Sequence, residues 1–184
     1  MNLPELRCRE VECVLTDVDG VLTDGSLFIG PRGEEFKQFN AKDGVAVALL
    51  HHYSIKVGVV SGRKNDALTK RCEDLNMDII RCGVNDKREA LEDVCCHLSL
   101  SMRQIAFIGD DIIDAFAMES VGLAIAPSDA HFTASEKAHH TTHAAGGRGV
   151  LREAAEFILL SKGITREAMY KPLSGYAPHK SIQQ

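Results

Sequence analysis

The sequence lacks any apolar run that approaches the roughly 20 residues a membrane-spanning helix needs. Its first ten residues are charged and lack the hydrophobic region of a secretory signal. Neither a C-x-x-C pair nor zinc-like spacing occurs among its cysteines, which are Cys8, Cys13, Cys72, Cys82, Cys95 and Cys96. These absences predict a cytoplasmic protein without membrane association, whose thiols are reduced and mostly buried.

The chain also lacks an excess of positive charge. Its formal net charge of −5 argues against a general nucleic-acid binder, although local cations can still hold an anionic substrate. It shows no internal repeat and no low-complexity segment. With 184 residues, of which 45% are hydrophobic and 26% charged, it has the length and composition of one globular domain.

Short apolar runs alternate with helical patterns along most of the chain. Four continuous runs are typical of strands buried on both faces of a parallel sheet, namely 11–16, 56–60, 105–108 and 123–126. Helices are predicted at about 43–52, 65–75, 87–98, 111–119 and 149–162. Asn40 is placed to cap the first helix, with Asp43 in its first turn. This alternation predicts a doubly wound, Rossmann-like α/β fold that binds ligands at the carboxyl ends of its strands.

One segment interrupts the alternation. Residues 27–39 contain the apolar run Leu27-Phe28-Ile29, the turn Gly30-Pro31-Arg32-Gly33 and the alternating run Glu35-Phe36-Lys37-Gln38-Phe39. This pattern predicts a β-hairpin inserted after the first strand. The hairpin is too short to be a lid domain. After Gly163 the residues become polar and include two prolines. We therefore expect a single domain over 1–162 and a tail over 163–184.

Two carboxylates follow the first predicted strand. Asp17 and Asp19 are two residues apart in an extended segment, so both side chains can face one pocket, and Gly20 allows a sharp turn. A turn or capping role remains an alternative for this motif taken alone. A calcium loop of the EF-hand type is excluded, because Val21 and Leu22 occupy the positions of a third ligand and an invariant glycine.

Candidate phosphate-binding groups follow further along the chain. Ser61, Gly62 and Arg63 end the second predicted strand, where a hydroxyl and free backbone N–H groups beside a helix start can hold a phosphoryl oxygen. A turn serine is the commoner explanation of such a residue. Lys87 begins a helix, where the helix dipole disfavours a cation. This misfit suggests that Lys87 serves another group, with an exposed lysine as the alternative.

Three carboxylates follow the strand at 105–108. Asp110, Asp111 and Asp114 would repel one another unless a cation or hydrogen bonds compensate. Helix capping explains one of them but not all three. A small number of hard oxygen ligands suits Mg²⁺, which keeps several waters and also binds substrate phosphate.

Four segments resemble, in their order along the chain, the four motifs of the haloacid dehalogenase superfamily. They are D-V-D-G-V-L-T-D-G, S-G-R, Lys87 and G-D-D-I-I-D, and the resemblance covers roughly residues 11–162. Within this superfamily, the chain resembles the capless 3-deoxy-D-manno-octulosonate 8-phosphate (Kdo 8-phosphate) phosphatases. The resemblance rests on the missing cap domain, the short hairpin and the segment F-N-A-K-D-G at 39–44. This resemblance implies a haloacid dehalogenase fold without a cap and a role in lipopolysaccharide biosynthesis. It also implies a homotetramer whose hairpins form a central barrel and whose neighbours close each active site.

The resemblance assigns roles to the carboxylates. It implies that Asp17 attacks phosphorus to form an aspartyl-phosphate and that Asp19 is the acid/base. It also implies a Mg²⁺ ion held by Asp17, the backbone carbonyl of Asp19 and Asp110, with Asp111 in support. Asp114 is expected in the second shell, where it orients the lysine of the third motif.

The same resemblance implies a phosphate- and sugar-binding set. Ser61 and Lys87 are expected to stabilise the transferring phosphoryl group, next to the backbone of Gly62. Arg63 stands where family members acting on Kdo 8-phosphate carry arginine, whereas relatives acting on nine-carbon sugar phosphates carry glutamate. Arg71 matches a position that reaches the substrate carboxylate of a neighbouring subunit. A solvated helix arginine is the alternative for Arg71.

Two features depart from the family pattern. Ser61 stands where threonine is usual, and residues 175–184 only loosely resemble tails that cover a neighbouring site. Three other functions remain as alternatives. They are a nonulosonate 9-phosphate phosphatase, a non-catalytic oligomerisation module and a phosphomutase. The module is disfavoured because such domains lose the motif aspartates, and the mutase because it needs a cap that no insertion here can supply.

A histidine cluster, His139, His140 and His143, is a second candidate metal site. No carboxylate or cysteine stands at ligand spacing beside it. We therefore expect a solvated helix end or loop there.

Overall fold

The structure is a computed structural model that describes residues 3–174. Its helices are α1 (Leu3–Cys8), α2 (Ala41–His52), α3 (Asp66–Asp74), α4 (Lys87–Leu98), α5 (Ala115–Ser120), α6 (Phe132–Lys137), α7 (Val150–Ser161) and α8 (Arg166–Tyr170). Its strands are β1 (Cys13–Thr16), β2 (Phe28–Gly30), β3 (Gly33–Phe36), β4 (Lys56–Ser61), β5 (Ile79–Cys82), β6 (Ile105–Ile108), β7 (Leu123–Ala126) and β8 (His140–Thr141). Short 3₁₀ turns occur at Met102–Gln104, Ile112–Asp114 and Lys171–Leu173.

Six strands form one parallel sheet in the order β5-β4-β1-β6-β7-β8. Near its middle, Val14 of β1 pairs with Val57 of β4 on one side and with Ala106 of β6 on the other. The chain runs outward from β1 to β4 and β5, then crosses to β6 and continues to β7 and β8. This reversal beside β1 creates the crevice in which a doubly wound sheet binds its ligand.

Helices cover both faces of the sheet. Every residue of β1, β6 and β7 is buried. Val14 packs into a core with α2, α3 and α7, whereas the next residue, Leu15, packs into a second core with α4, α5 and α6. The strands are continuously apolar because both of their faces are covered. The predicted doubly wound α/β fold is confirmed.

Most predicted elements are confirmed within a few residues. Helix α2 begins after the predicted cap Asn40, whose side chain accepts the N–H of Lys42 at 3.0 Å. The prediction of one helix over 111–119 was wrong in its first turn, because Ile112–Asp114 form a 3₁₀ turn and α5 begins afterwards. There the Asp114 carboxylate turns back onto the backbone of the preceding loop. The edge strands β5 and β8 and the short helices α1, α6 and α8 were not predicted.

The predicted hairpin is formed by β2 and β3, which pair in an antiparallel manner with Gly30 opposite Gly33. It exposes three large apolar side chains to solvent, since Phe28, Ile29 and Phe36 are 45%, 66% and 67% exposed. No large insertion forms a cap over the sheet within residues 3–174.

The first part of the expected tail is ordered against the domain. Met169 of α8 is fully buried, and the hydroxyl of Tyr53 donates to the carbonyl of Ala168 at 2.9 Å. Residues 175–184, the part that resembles a covering tail, lie outside the described residues.

All six cysteines are free thiols, four of them buried. Across residues 3–174, no helix combines the length and hydropathy needed to cross a bilayer.

Candidate active site

The loops after β1 and β6 meet at the carboxyl edge of the sheet. Asp17 directly follows β1, is only 5% exposed, and donates its N–H to the carbonyl of Ile108 at 2.8 Å. Gly20 has a φ of +89°, and a Cβ there would lie 2.0 Å from Oδ2 of Asp110. Glycine is therefore required for both its conformation and its small size. The two aspartate loops form one site.

Lys87 joins two of the carboxylates. Its buried ammonium lies 2.9 Å from Oδ1 of Asp17 and 2.6 Å from Oδ1 of Asp114. Asp86 caps α4 by accepting the N–H of Arg88 at 2.8 Å, which fixes the first turn. The two carboxylate partners explain why a lysine is tolerated at a position where the helix dipole is unfavourable.

Asp114 is fully buried, and both of its oxygens are occupied. Oδ1 accepts from Lys87, and Oδ2 accepts the N–H of Asp110 at 3.1 Å and of Asp111 at 3.2 Å. The Asp111 side chain is exposed and accepts the N–H of Ile112 at 2.7 Å. Asp114 thus holds both Lys87 and the loop that carries Asp110.

The electrostatics of the cluster favour an added cation. Burial raises the pKa of Asp17 to about 6, with Lys87 opposing and Asp114 assisting the rise. Burial, followed by the charges of Asp17 and Asp114, raises the pKa of Asp110 to about 7. Burial lowers the pKa of Lys87, but the attraction of Asp17 and Asp114 outweighs it, so the net direction is upward. One ammonium faces three carboxylates and leaves negative charge uncompensated.

The donor set fits a divalent cation. Oxygens of Asp17, Asp110 and Asp114 lie within 4.8 Å of one another, the one such acidic group found in residues 3–174. The buried Oδ1 of Asp110 has no hydrogen-bond partner, whereas both oxygens of Asp114 are already used. Asp17 and Asp110 therefore offer the open positions, and hard carboxylate oxygens suit Mg²⁺.

The predicted phosphate loop follows β4. Ser61 is 1% exposed, and its Oγ accepts the N–H of Arg63 at 3.2 Å. A Cβ added at Gly62 would meet no described atom closer than the carbonyl oxygen of Val84, at 3.6 Å. Because β4 pairs with β1 in parallel, this loop emerges beside Asp17. The structure therefore brings the four sequence motifs to one edge of the sheet.

Asp19 lies between two cations. Its Oδ1 is 2.5 Å from Nζ of Lys37, and its Oδ2 is 3.7 Å from Nε of Arg63. The Lys37 side chain is 1% exposed and also contacts Oε1 of Glu34 at 2.7 Å. Lys37 is missing from the residues predicted from the sequence. The alternation of the hairpin, with exposed Phe36 as its neighbour, is the one sequence signal that it points inward.

Arg71 lies elsewhere in the fold. It lines a small cavity between α2 and α3 together with Asn40 and Asp43. Its Nη2 would be 3.3 Å from a Cβ added at Gly44. Burial raises the pKa of Asp43, and the charge of Arg71 offsets part of this rise. Within one chain, these contacts direct Arg71 towards α2.

The three histidines have separate partners. Nδ1 of His139 accepts the N–H of Ala124 at 2.8 Å, and His140 stacks on Phe157 with ring centroids 3.8 Å apart. His143, which is almost fully exposed, pairs instead with a glutamate of α7 at 2.8 Å. Each histidine therefore has its own partner. The expectation of a solvated helix end or loop was wrong for His140, which lies half-buried in β8, and His139 beside it is also half-buried, whereas His143 lies in an exposed loop.

The chain resembles known phosphatases in sequence. A family model described as haloacid dehalogenase-like hydrolase matches residues 64–153. A 3-deoxy-D-manno-octulosonate 8-phosphate phosphatase of Salmonella typhi is 37% identical over 162 residues, which cover 88% of this chain and 86% of that protein. The phosphatase of the same name from Yersinia pestis is 38% identical over 156 residues, or 85% and 83% of the two chains.

Solved structures show the same likeness. The Yersinia pestis phosphatase superposes with a TM-score of 0.86 at 35% identity, covering 92% of this chain and 90% of that one. A cobalt-bound phosphatase of the same kind from Haemophilus influenzae gives 0.85 at 33%, covering 90% and 99%. The Moraxella catarrhalis enzyme, in complex with magnesium, phosphate and KDO, gives 0.85 at 28%, covering 89% and 94%. The chain therefore belongs to the 3-deoxy-D-manno-octulosonate 8-phosphate phosphatases, within the haloacid dehalogenase-like hydrolases.

Proposed function

We propose that this chain is a Mg²⁺-dependent phosphatase that hydrolyses 3-deoxy-D-manno-octulosonate 8-phosphate. The observation that carries the proposal is the convergence of Asp17, Asp110 and Lys87 at the switch point of the sheet, beside the hydroxyl of Ser61. The similar proteins carry this activity in their names, and one of their structures contains magnesium, phosphate and the sugar.

Asp17 acts as the nucleophile. Its carboxylate oxygen attacks phosphorus, and the bond from phosphorus to the sugar oxygen breaks as Asp19 donates a proton to that oxygen. Asp19 then takes a proton from water, whose oxygen attacks phosphorus and releases Asp17 and inorganic phosphate. With a pKa of about 6, Asp17 is mostly ionised at neutral pH, as a nucleophile must be.

Lys87 and Ser61 stabilise the transferring group. The ammonium of Lys87 is already oriented by Asp17 and Asp114, so it needs little reorganisation to donate to a phosphoryl oxygen. Ser61 contributes a buried hydroxyl, and Gly62 leaves the neighbouring backbone accessible. Fixed donors in a water-poor site are worth more than the same donors in water.

Asp17, Asp110 and the backbone carbonyl of Asp19 would hold Mg²⁺, with Asp111 in support. When bound, the ion polarises the phosphoryl group and offsets the repulsion between the carboxylates. The unpartnered buried oxygen of Asp110 supports this assignment.

Sugar selection is assigned to two arginines. Arg63 is half-exposed at the mouth of the site, 3.7 Å from Asp19, where it can contact the sugar of the substrate. Arg71 is directed towards α2 within its own chain. We assign it to the site of a neighbouring subunit, where its guanidinium would bind the substrate carboxylate.

The assembly proposed is a homotetramer with shared sites. The exposed apolar side chains of the hairpin support it, because a two-stranded hairpin with three exposed large apolar residues gains stability by packing against other copies. Ile112, Ile113 and Phe116, which are 53%, 63% and 73% exposed, offer a second apolar surface next to the aspartate loop. The free thiols are in keeping with a cytoplasmic location.

A panel of phosphate esters assayed with Mg²⁺ tests the function. Release of phosphate from Kdo 8-phosphate in preference to a nonulosonate 9-phosphate is the expected result. No release from either ester would refute the catalytic proposal, and preference for the nonulosonate would refute the substrate. Sedimentation of the wild type and of Phe36→Asp tests the assembly, since a wild-type monomer would contradict it.

A further inference from the structure

The hairpin reaches the acid/base through one buried side chain. Lys37 directly follows β3 and turns inward, whereas its neighbour Phe36 faces solvent. Its ammonium contacts Asp19 Oδ1 at 2.5 Å and Glu34 Oε1 at 2.7 Å. Burial alone lowers the pKa of Lys37, but the hydrogen bonds that it donates to these two carboxylates raise the pKa overall, so the side chain remains an ammonium.

A second contact ties the hairpin to the phosphate loop. Asn65 caps α3 by accepting the N–H of Ala67 at 2.8 Å, and its amide nitrogen donates to the carbonyl of Glu34 at 3.2 Å. Ser61 and Asn65 lie in the same connection between β4 and α3. Strand β3, which precedes Lys37, is therefore anchored to the loop that would hold the phosphoryl group.

We propose that Lys37 is a positioning residue for the reaction, which holds the Asp19 carboxyl group in the orientation from which it exchanges a proton with the leaving oxygen. This inference rests on the proposed phosphatase function. An ammonium has donors but no acceptor, so the Asp19 oxygen that faces it cannot carry the transferred proton in that direction. Oδ2 is left as the oxygen that exchanges the proton, because Nε of Arg63, at 3.7 Å, is too far away to donate a hydrogen bond to it.

The contact favours one rotamer of Asp19. A short carboxylate on a surface loop otherwise samples several rotamers, and an acid contributes to catalysis only within hydrogen-bond reach of the leaving oxygen. Lys37 is itself held by Glu34 and by burial, so its position is defined before substrate binds. A buried ion pair is a poor source of stability, because desolvation offsets much of the attraction. Orientation is therefore the better explanation of this contact.

The leaving group provides the test. A sugar alkoxide needs a proton as it departs, whereas p-nitrophenolate does not, and kcat/KM for each ester reports the first phosphoryl transfer. Lys37→Met is expected to lower kcat/KM for Kdo 8-phosphate by about 100-fold, mainly through kcat, and for p-nitrophenyl phosphate by less than about fivefold. Lys37→Arg, which retains a donor cation, should recover at least about tenfold of the loss.

Two further variants control the test. Lys56→Met makes the same change in an ion pair with Asp78 (2.7 Å) at the opposite end of β4, and it should leave both substrates unaffected. Glu34→Gln keeps Lys37 but weakens the contact that holds its ammonium. It should therefore lower kcat/KM for Kdo 8-phosphate about fivefold more than kcat/KM for p-nitrophenyl phosphate. This variant keeps the test available if Lys37→Met fails to fold.

The outcomes are distinguishable. Equal losses on both esters in Lys37→Met, or no loss in either Lys37→Met or Glu34→Gln, would overturn the role of Lys37 while wild-type turnover stood. A wild type that releases no phosphate from Kdo 8-phosphate would instead overturn the proposed function on which the role depends.

Discussion

The close approach of Gly20 to Asp110 makes a quantitative prediction about Mg²⁺. In Gly20→Ala the new Cβ would lie 2.0 Å from Oδ2 of Asp110, whereas ordinary contacts begin at 3.4 Å. The carboxylate must therefore move by about 1.4 Å, or the loop must open. Mg²⁺ demands oxygen ligands in near-ideal octahedral positions. A displacement of this size should remove Asp110 from the coordination sphere.

Backbone strain adds to this effect and has to be separated from it. An alanine at φ +89° costs about 1–2 kcal/mol of folding free energy. Gly163 has a nearly identical φ of +88° but nothing within 4 Å of an added Cβ, so Gly163→Ala carries the strain without the collision. Both variants should lose about 1–2 kcal/mol in EDTA, with Gly20→Ala losing the same amount or more.

Unfolding with and without Mg²⁺ is the assay. A ligand present at 100 times its Kd stabilises a protein by about 2.7 kcal/mol, and each tenfold loss of affinity removes about 1.4 kcal/mol of that. Gly163→Ala should keep the full Mg²⁺-induced rise in Tm and wild-type activity. Gly20→Ala should lose at least half of the rise and require at least about tenfold more Mg²⁺ for activity. A Gly20→Ala protein with an unchanged Mg²⁺ response would refute the geometric reasoning.

Three further variants probe other parts of the structure. Asp17→Asn should lower turnover by about 10⁴-fold or more while circular dichroism and oligomeric state stay unchanged, and near wild-type activity would exclude Asp17 as nucleophile. Burial raises the pKa of Asp43 from 3.8 to about 6, so the wild type loses stability as pH rises between these values. Asp43→Asn can still accept the N–H of Arg152, and it should be more stable than the wild type at pH 7 by up to about 3 kcal/mol. The difference in unfolding free energy should vanish near pH 4. A pH-independent difference in denaturant titrations would contradict this. Arg71→Ala should raise KM about tenfold for Kdo 8-phosphate but leave KM for p-nitrophenyl phosphate unchanged. Lys70→Ala is the control and should change neither value. Equal changes on both esters would count against sugar recognition by Arg71.

The convergence of the motif residues was predictable from the sequence for a physical reason. Buried parallel strands are continuously apolar, so polar residues such as Asp17, Ser61 and Asp110 mark the points at which strands end. In a doubly wound sheet those ends share one edge, and residues far apart in sequence meet there. Strand identity and direction were therefore sufficient to bring these side chains together.

Contacts that depend on how the edge elements fold back could not be predicted in the same way. Alternation indicates which face of the hairpin Lys37 occupies, but not that this face meets Asp19. The orientation of Arg71 towards α2 depends on helix packing, which local pattern does not encode. Strand β8 has only two residues, and the side chain of His139, just before it, accepts the backbone N–H of Ala124 in β7. Such a strand leaves no periodic signal.

The hairpin connects assembly with chemistry. Its exposed apolar residues Phe28, Ile29 and Phe36 would be covered in the proposed tetramer, and Lys37, which directly follows β3, contacts Asp19. Two antiparallel strands of three and four residues are too small to hold a fixed position by themselves. Packing of these exposed residues against other copies would therefore restrict the hairpin and, through Lys37, the rotamer of Asp19. In the proposed tetramer, subunit association would thus contribute to the orientation of the proposed acid/base.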